Sequence, residues 1–193
     1  MPAGNGASGH GKLIVISAPS GSGKTTIARA IIRLYPTLRF SVSATTRRMR
    51  DGEKDGEDYY FLTKEEFTRR VRTGEFVEWE ELFGNYYGTL KSELDRAIRE
   101  NRHLLFDVDV KGGLSIKQEY PGTLMIFIRT PNAEVLRQRL VNRKTETEEL
   151  LAERLGRVRM ELEMGRMYEH QVVNDDLETA IREVDTIIRN YLH

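Results

Sequence analysis

The strongest constraint in this sequence is a loop of small residues between an apolar run and an amphipathic run. Residues 12–17 read Lys-Leu-Ile-Val-Ile-Ser, which predicts a strand buried on both faces. Residues 18–25 read Ala-Pro-Ser-Gly-Ser-Gly-Lys-Thr and match G-x-x-x-x-G-K-[ST] with Ala in the first position. Residues 24–34 then carry apolar side chains at helical spacing, namely Ile27, Ala28, Ile31 and Leu34. Strand, loop and helix in this order predict the opening of an α/β unit.

This loop has the chemistry of a polyphosphate site. Successive backbone N–H groups can point at the phosphates, and the helix N-terminus adds partial positive charge. Lys24 can reach the β- and γ-phosphates, and the Thr25 hydroxyl can bind Mg²⁺. The alternative, an ordinary Gly/Ser turn with a solvated lysine, is disfavoured by the flanking strand and helix. The predicted ATP-binding residues are Ala18, Pro19, Ser20, Gly21, Ser22, Gly23, Lys24, Thr25 and Thr26.

The α/β pattern continues along the chain. Short apolar runs at 103–107, 124–128 and 171–174 predict further strands, and Pro131 marks a helix start. Asp176 is placed to cap a final helix. Strands that alternate with helices predict a parallel sheet, here of about five strands, with helices on both sides.

Two segments interrupt this alternation. Residues 43–90 are rich in Arg, Gly and aromatic residues, and they contain two predicted strands, 59–62 and 76–82. A helix is predicted between these strands, since Thr63 and Glu66 have capping-box spacing. Residues 43–90 are therefore interpreted as an inserted α+β subdomain. Residues 142–154 are dominated by charge and Thr, which favours a mobile lid segment between two helices.

The resulting domain map has a core, one insertion, one lid and a leader. The core comprises residues 12–42, 91–141 and 155–193, and together with the insertion and the lid it forms one domain over 12–193. Residues 1–11 are rich in Gly, Ala and Ser, which predicts a flexible leader.

Composition limits the partners. Lys+Arg and Asp+Glu both number 30, so affinity for phosphate must come from local clusters rather than from a general basic field. The sequence contains no cysteine, which excludes disulfides and thiolate metal sites and is compatible with the cytoplasm. No apolar run approaches the ~20 residues needed to span a bilayer. We expect small-molecule nucleotide partners, no nucleic acid, no membrane, and a monomer or small homo-oligomer.

Several segments carry a resemblance to a known family. Residues 41–59 read Ser-Val-Ser-Ala-Thr-Thr-Arg-Arg-Met-Arg-Asp-Gly-Glu-Lys-Asp-Gly-Glu-Asp-Tyr, which resembles the GMP-binding signature of guanylate kinases. The resemblance covers nearly everything from Leu13 onward, including 75–79, 84–89, 106–109, 145–149 and 173–175. It implies a P-loop NTPase fold with a GMP-binding insertion and a helical lid. It also implies transfer of phosphate from MgATP to GMP, and to dGMP, in purine nucleotide metabolism.

The resemblance implies a role for individual residues. The GMP phosphate would be held by Arg47, Arg50, Tyr59 and Tyr87, and the guanine base would be read by Ser43, Glu78, Thr89 and Asp109. The chemistry agrees, because guanidinium groups and tyrosine hydroxyls donate to phosphate oxygens. Carboxylates can accept from guanine N1–H and N2–H₂, and hydroxyls can donate to O6.

Residues for the transferring phosphoryl group are also implied. Arg139, Arg143 and Arg154 match lid arginines of the family and would act with Lys24 in catalysis. On spacing alone, a solvated charged helix surface would be the preferred interpretation of these arginines. Asp107 ends an apolar strand, where its carboxylate could orient water around Mg²⁺; a cap at the edge of the core is the alternative.

Three other functions remain open at this point. Guanylate-kinase-like domains of scaffold proteins bind protein partners, although their phosphate loops are typically degraded. Another small-molecule kinase could share the fold and use a different acceptor. Arginines with interleaved tyrosines in residues 43–59 also suit nucleic acid, but the five acidic residues of that segment argue against it.

Overall fold

The structure is a computed structural model that describes residues 11–82, 84–132, 134–136, 138 and 148–193, with backbone only for 148–155. The elements follow the chain as β1 (Leu13–Ser17), α1 (Lys24–Leu34), β2 (Leu38–Phe40), β3 (Ala44–Thr45), β4 (Tyr60–Phe61), α2 (Lys64–Arg72), β5 (Phe76–Leu82), β6 (Asn85–Leu90), α3 (Lys91–Arg99), β7 (His103–Asp107), α4 (Val110–Glu119), β8 (Leu124–Arg129), α5 (Glu148–Gly165), β9 (His170–Val173) and α6 (Leu177–Leu192). Within these described residues, no helix is both long and apolar enough to cross a membrane.

The core is a five-stranded parallel sheet with the order β2-β7-β1-β8-β9. Every residue of β1 is buried, because helices cover both faces of the sheet. On one face α1 and α6 pack through Ile31 and Ile188, and on the other Leu94 and Ile116 pack against Phe106. The prediction of a parallel sheet of about five strands flanked by helices is confirmed.

The strand order positions the functional residues. Strand β1 lies between β7 and β8, with Val15 in register with Phe106 and Met125. Because the strands are parallel, the loop after Ser17 and the carboxylate of Asp107 emerge at the same edge of the sheet.

A second sheet is formed within residues 43–90. Its order is β4-β3-β6-β5, and β5 and β6 form an antiparallel pair. Helix α2 packs on this sheet through Phe67, whose ring lies 4.4 Å from that of Phe76 and 5.4 Å from that of Tyr86, centroid to centroid. Thr63 caps α2 by accepting a hydrogen bond from the Glu66 N–H at 3.1 Å, as its spacing predicted.

The structure differs from the predicted boundaries at two places. Residues 142–147 of the expected lid segment lie outside the described residues, and helix α5 already begins at Glu148. Residues 148–155 read Glu-Glu-Leu-Leu-Ala-Glu-Arg-Leu, all strong helix formers, and they form the first two turns of α5. Residues 1–10 of the expected leader are also outside the described residues, whereas Gly11 packs against the backbone of Ala97 and Arg102.

Candidate active site

The predicted phosphate loop joins β1 to α1 in a conformation that requires glycine. Gly21 and Gly23 have φ angles of 88° and 89°, and Gly23 is the N-cap of α1. No side chain caps this helix terminus, so its backbone donors face the cleft. Asn174 follows β9 and is buried; its Nδ2 donates to the carbonyl oxygen of Ser22 at 2.7 Å and blocks the place where a Cβ on Gly23 would lie.

Lys24, Thr25 and Asp107 form one polar cluster at the edge of the sheet. The Lys24 Nζ lies 2.6 Å from Asp107 Oδ1 and donates to the Val108 carbonyl oxygen at 2.9 Å. The Thr25 hydroxyl donates to Asp107 Oδ2, also at 2.9 Å. The structure therefore brings together the three residues that the sequence assigned to the phosphates and the metal.

The oxygen atoms of Thr25 and Asp107 fit a magnesium ion. Mg²⁺ prefers oxygen ligands, keeps several waters and takes the remainder of its ligands from substrate phosphates, so one carboxylate and one hydroxyl suffice. In the described part of the chain, no group of three or more His, Cys, Asp and Glu residues is arranged to hold a metal ion.

Two cavities meet at Thr25. The first has a volume of about 330 Å³ and is lined by residues 18–26, Leu82, Asp109, Arg157 and Glu161. The second has a volume of about 340 Å³ and is lined by Thr25, Arg29, Phe40, Ser41, Ser43, Glu57, Asp58, Tyr59, Phe106, Asp107 and Val108. The phosphate loop and Asp109 thus face one cavity, while Ser43 and Tyr59 of the insertion face its neighbour, so Asp109 and Ser43, both predicted to read the base, line different cavities on either side of Thr25.

Arg47, Tyr59 and Tyr87 lie together on the second sheet. The Tyr59 and Tyr87 ring centroids are 6.3 Å apart, and the Arg47 guanidinium lies 5.3 Å from the Tyr59 ring centroid. Glu53 accepts two hydrogen bonds from Arg47, at 3.0 and 2.7 Å, and fixes the direction of the guanidinium. Burial raises the pKa of Tyr59, and the neighbouring Tyr87 adds to this, so the Tyr59 hydroxyl remains a donor at neutral pH.

Arg50 is the fourth predicted phosphate ligand. Its side chain is exposed, and its backbone N–H donates to Glu53 Oε2 at 2.8 Å. Glu53 therefore organises Arg47 and Arg50, the two predicted phosphate-binding arginines of this turn. The sequence did not predict this role, because Glu53 was grouped with the other acidic residues of the segment.

Glu78, Thr89 and Asp109 converge from three elements. Glu78 on β5 is in register with Thr89 on β6, and the Thr89 hydroxyl donates to Glu78 Oε1 at 2.5 Å. Asp109 caps α4 by accepting from the Gly112 N–H at 2.7 Å. A Cβ on Gly112 would lie 2.9 Å from Glu78 Oε2 and 3.1 Å from Asp109 Oδ1, so a larger residue here would force the Glu78 carboxylate to shift.

The proximity of two acids changes the ionisation of Glu78. The pKa of Glu78 is raised to about 7, chiefly by burial and also by the charge of Asp109, while hydrogen bonds from Thr89 act in the opposite direction. Glu78 is therefore near its titration point at neutral pH. Donors from a ligand would favour the ionised form.

Comparison with known proteins identifies the family. The guanylate kinase family model matches residues 10–191. The chain belongs to the guanylate kinase family. It is 47% identical over 183 residues to the guanylate kinase of Chlorobium luteolum, covering 94% of this chain and 93% of that protein. It is 42% identical over 180 residues to that of Thermotoga maritima, covering 93% and 87%.

The fold agrees with this membership. The crystal structure of guanylate kinase from Anaplasma phagocytophilum superposes with a TM-score of 0.74 at 30% identity, covering 95% of this chain and 87% of that one. Members of the guanylate kinase family are nucleoside monophosphate kinases, so this chain is a transferase with a nucleotide-binding fold.

The lid arginines of this guanylate kinase family member remain predictions. Arg139 and Arg143 lie outside the described residues, and Arg154 is described only as part of the α5 backbone. The sequence did not predict Arg157 or Glu161, which α5 brings to the cavity beside the phosphate loop. Their spacing from Arg154, at three and seven residues, placed them on the same helix face and was the available signal.

Proposed function

We propose that this chain transfers the γ-phosphoryl group of ATP to GMP, and also to dGMP, and that the two adjoining cavities bind the two nucleotides. The observation that carries this assignment is the position of Thr25, which lines both the phosphate-loop cavity and the cavity of Ser43 and Tyr59. A donor in one cavity and an acceptor in the other would meet at this residue. Membership of the guanylate kinase family supports the reaction, which we place in the cytoplasm as part of purine nucleotide metabolism.

The donor would bind through residues 18–26. Backbone N–H groups at the start of α1 would face the phosphates, and Lys24 would move from Asp107 toward the β- and γ-phosphate oxygens. Thr25 and Asp107 would hold Mg²⁺ together with these phosphates, Asp107 through water. When bound, the ion neutralises charge that develops on the phosphate oxygens.

The acceptor phosphate would bind to Arg47, Arg50, Tyr59 and Tyr87. Arg47 is already oriented by Glu53, which lowers the cost of ordering its long side chain. Tyr59 stays protonated because of its burial, so it can donate to a phosphate oxygen. Arg50 would turn its exposed side chain toward the same phosphate.

The guanine base would be read by two acids and two hydroxyls. Glu78 and Asp109 would accept from N1–H and N2–H₂, while Ser43 and Thr89 would donate to O6. Adenine would place its unprotonated N1 against a carboxylate, and a site built for hydrogen bonds rejects such an analogue by roughly 10⁴-fold.

Phosphoryl transfer then needs positioning and charge neutralisation more than covalent chemistry. Closure of residues 43–90 and 142–154 over the core would align a GMP phosphate oxygen with the γ-phosphorus and exclude water. Arg139, Arg143 and Arg154 would neutralise the transferring group from the lid.

A panel of acceptors tests this function. ADP production from MgATP is measured with GMP, dGMP, AMP, UMP and CMP, and we expect GMP to be the best substrate, dGMP to follow, and AMP to be poorer by about 10⁴-fold in kcat/KM. A preference for another monophosphate would assign the protein to a different kinase activity. Absence of ADP production with every acceptor would instead favour a binding module.

The affinity for GMP should depend on pH through Glu78. Because the pKa of Glu78 is about 7, its carboxyl takes up a proton as the pH falls and loses an acceptor. We expect the KM for GMP, measured at saturating ATP, to rise below pH 7 by up to about tenfold per pH unit. Its neighbours Asp109, Glu80 and Thr89 share this environment.

Glu78→Gln provides the control for this profile. The phosphate of GMP itself titrates near pH ~6 and weakens binding in both proteins. In the variant, the rise in KM caused by protonation of the GMP phosphate remains, whereas the rise caused by protonation of Glu78 is absent. The KM of the variant for GMP should therefore begin to rise about one pH unit lower. Superimposable profiles would show that Glu78 does not titrate in the binding site.

A further inference from the structure

Glu53 is bonded to both arginines that we propose for the acceptor phosphate. Its carboxylate accepts from Arg47 Nη1 at 3.0 Å, from Arg47 Nη2 at 2.7 Å and from the Arg50 backbone N–H at 2.8 Å. The Arg47 and Glu53 side chains are only 15% and 19% exposed. Because paired bonds between a guanidinium and a carboxylate fix their relative orientation, Glu53 determines where the other donors of Arg47 point.

These bonds leave one edge of the Arg47 guanidinium available. A guanidinium carries five N–H donors in a planar fork. Glu53 takes one hydrogen from each Nη atom, and the Arg48 carbonyl oxygen accepts a second bond from Nη1 at 2.6 Å. The described residues provide no acceptor for Nε–H or for the second hydrogen of Nη2, and these two donors share one edge of the plane. An edge with two parallel donors matches two oxygens of a phosphate.

Aromatic rings hold the same guanidinium from the side of its π faces. Its central carbon lies 5.3 Å from the Tyr59 ring centroid and 5.7 Å from that of Phe61. Stacking of this kind opposes rotation of the guanidinium out of its plane. Tyr59 also lines the second cavity. Arg47 is therefore ordered next to a wall of the cavity that we propose for GMP.

Glu53 also fixes the turn that begins at Arg50. The Glu53 N–H donates to the Arg50 carbonyl oxygen at 3.1 Å, while the Arg50 N–H donates to Glu53 Oε2. Gly52 lies between them with a φ of 86°, a value that favours glycine in a tight turn. The two reciprocal bonds hold the Arg50 backbone, although the side chain of Arg50 is exposed.

We propose that Glu53 is a positioning residue for the phosphate of GMP. It holds the end of the Arg47 guanidinium so that the edge formed by Nε and Nη2 receives two phosphate oxygens, and it anchors the backbone of Arg50 beside them. The proposal rests on the proposed binding of the GMP phosphate by these two arginines. Glu53 acts through the arginines and does not touch the nucleotide, because the guanidinium separates its carboxylate from the phosphate.

A carboxylate near an anion site has a cost as well as a benefit. Glu53 is ionised at neutral pH, because hydrogen bonds from the Arg47 side chain and the Arg50 backbone lower its pKa, and it therefore repels the phosphate. Against this, each long side chain that is ordered in advance improves affinity by up to about tenfold. We expect the ordering of two arginines to outweigh a repulsion that the charge of Arg47 already reduces.

The test compares Glu53→Ala and Glu53→Gln with the wild-type chain in steady-state kinetics. We expect Glu53→Ala to raise the KM for GMP by about 5- to 100-fold, which corresponds to the cost of ordering two long side chains. The KM for ATP and kcat at saturating GMP should change little. Glu53→Gln keeps one oxygen that can accept from Arg47, so its KM for GMP should lie between those of the wild type and Glu53→Ala.

Guanosine distinguishes an effect on the phosphate from damage to residues 43–90. It has the base and the ribose of GMP but no phosphate, so its binding would not use Arg47 or Arg50. The inhibition constant of guanosine against GMP should therefore be the same in Glu53→Ala as in the wild type. A parallel rise of this constant and of the KM for GMP would reduce Glu53 to a structural role.

The double variant Arg47→Ala/Glu53→Ala tests the link between the two residues. Without Arg47, the Glu53 carboxylate is an uncompensated charge near the phosphate, so its removal relieves repulsion while it loosens Arg50. Adding Glu53→Ala to Arg47→Ala should therefore raise the KM for GMP much less than in the wild-type background. Equal increases in both backgrounds would show that Glu53 acts independently of Arg47 and would overturn the proposal.

Glu66→Ala is the matched control on the same insertion. Glu66 also binds two arginines, accepting from Arg69 at 2.8 and 2.9 Å and from Arg70 at 2.7 Å. It lies on α2 and is not among the residues that line the two cavities. We expect Glu66→Ala to leave the KM for GMP unchanged.

Further results separate the remaining possibilities. If Glu53→Ala does not fold, Glu53→Gln carries the test, since it also loses two of the three bonds to the arginines. A fall in kcat with an unchanged KM for GMP would place Glu53 in the chemical step and contradict the proposal. Absence of GMP turnover in the wild type would refute the proposed function, whereas wild-type turnover with an unchanged KM in Glu53→Ala would refute this proposal alone.

Discussion

Lys24→Ala is expected to lower kcat by about 10²–10³-fold, the loss measured when one preorganised donor is removed from a developing charge. Lys24 lies at the N-terminus of α1 and would contact the phosphates between which the bond breaks. Its role in folding is small, because a partly exposed ion pair such as Lys24–Asp107 contributes about 0–1 kcal/mol. Turnover of GMP with MgATP and the thermal unfolding midpoint are the two measurements.

Lys117→Ala is a closely matched control for this variant. Like Lys24, Lys117 lies 2.6 Å from a carboxylate oxygen, that of Glu169, and donates to a backbone carbonyl, that of Thr123, at 2.7 Å. Lys117 has no proposed role in nucleotide binding, so Lys117→Ala should leave kcat unchanged. It should alter stability to an extent similar to Lys24→Ala. Full activity of Lys24→Ala would contradict the assignment of residues 18–26 to ATP.

Glu78→Ala is expected to lower kcat/KM for GMP by about 10²–10⁴-fold, since guanine donors lose their acceptor in a buried site. The KM for ATP should stay within about twofold, because the residues proposed for the donor nucleotide lie on the core and not on β5. Steady-state kinetics with each nucleotide varied in turn measure both quantities. Unaltered GMP kinetics would remove Glu78 from base recognition.

Glu81→Ala controls for the truncation of an acidic side chain on the same strand. Glu81 is exposed on the opposite face of β5, as the alternation along the strand requires. Its loss should leave the kinetics for both nucleotides unchanged. Equal losses of kcat/KM for GMP in Glu78→Ala and Glu81→Ala would indicate damage to the second sheet rather than a specific effect on guanine binding.

The core strands were predictable because burial on both faces leaves a continuous apolar run in the sequence. Residues of β1, β7 and β8 carry that signal, and the phosphate loop between β1 and α1 is a local motif whose spacing is sufficient for recognition. Helix-capping residues could also be predicted from local sequence, and the Asp176 side chain does accept a hydrogen bond from the Thr179 N–H at 2.8 Å. The strands, the phosphate loop and the caps could be predicted because each depends on residues only a few positions away in the sequence.

Elements that depend on tertiary packing were not predicted. Helix α4 contains Gly112 and Gly113, which disfavour a helix by about 1 kcal/mol each. Gly112 lies against the carboxylates of Glu78 and Asp109, a close approach that no local pattern reveals. Strand β6 includes Gly88 and gains its stability from pairing with β5.

Beyond the phosphate loop and Asp107, the residues of the candidate site were predicted only where a resemblance supplied them. Contacts between distant segments were missed, such as that of Asn174 with Ser22 and that of Arg157 with Glu80, which join residues 152 and 77 positions apart. Spacing along the chain contains no information on such pairs. Arg157 in particular has the appearance of a surface arginine until α5 is packed against Glu80 and Asp109.

The most direct test of guanine recognition is a crystal structure of this protein with GMP and a non-hydrolysable ATP analogue with Mg²⁺. We predict carboxylate oxygens of Glu78 and Asp109 within about 3 Å of guanine N1 and N2, with the GMP phosphate on Arg47 and the triphosphate on residues 18–26. A guanine ring bound away from both Glu78 and Asp109 would contradict the account.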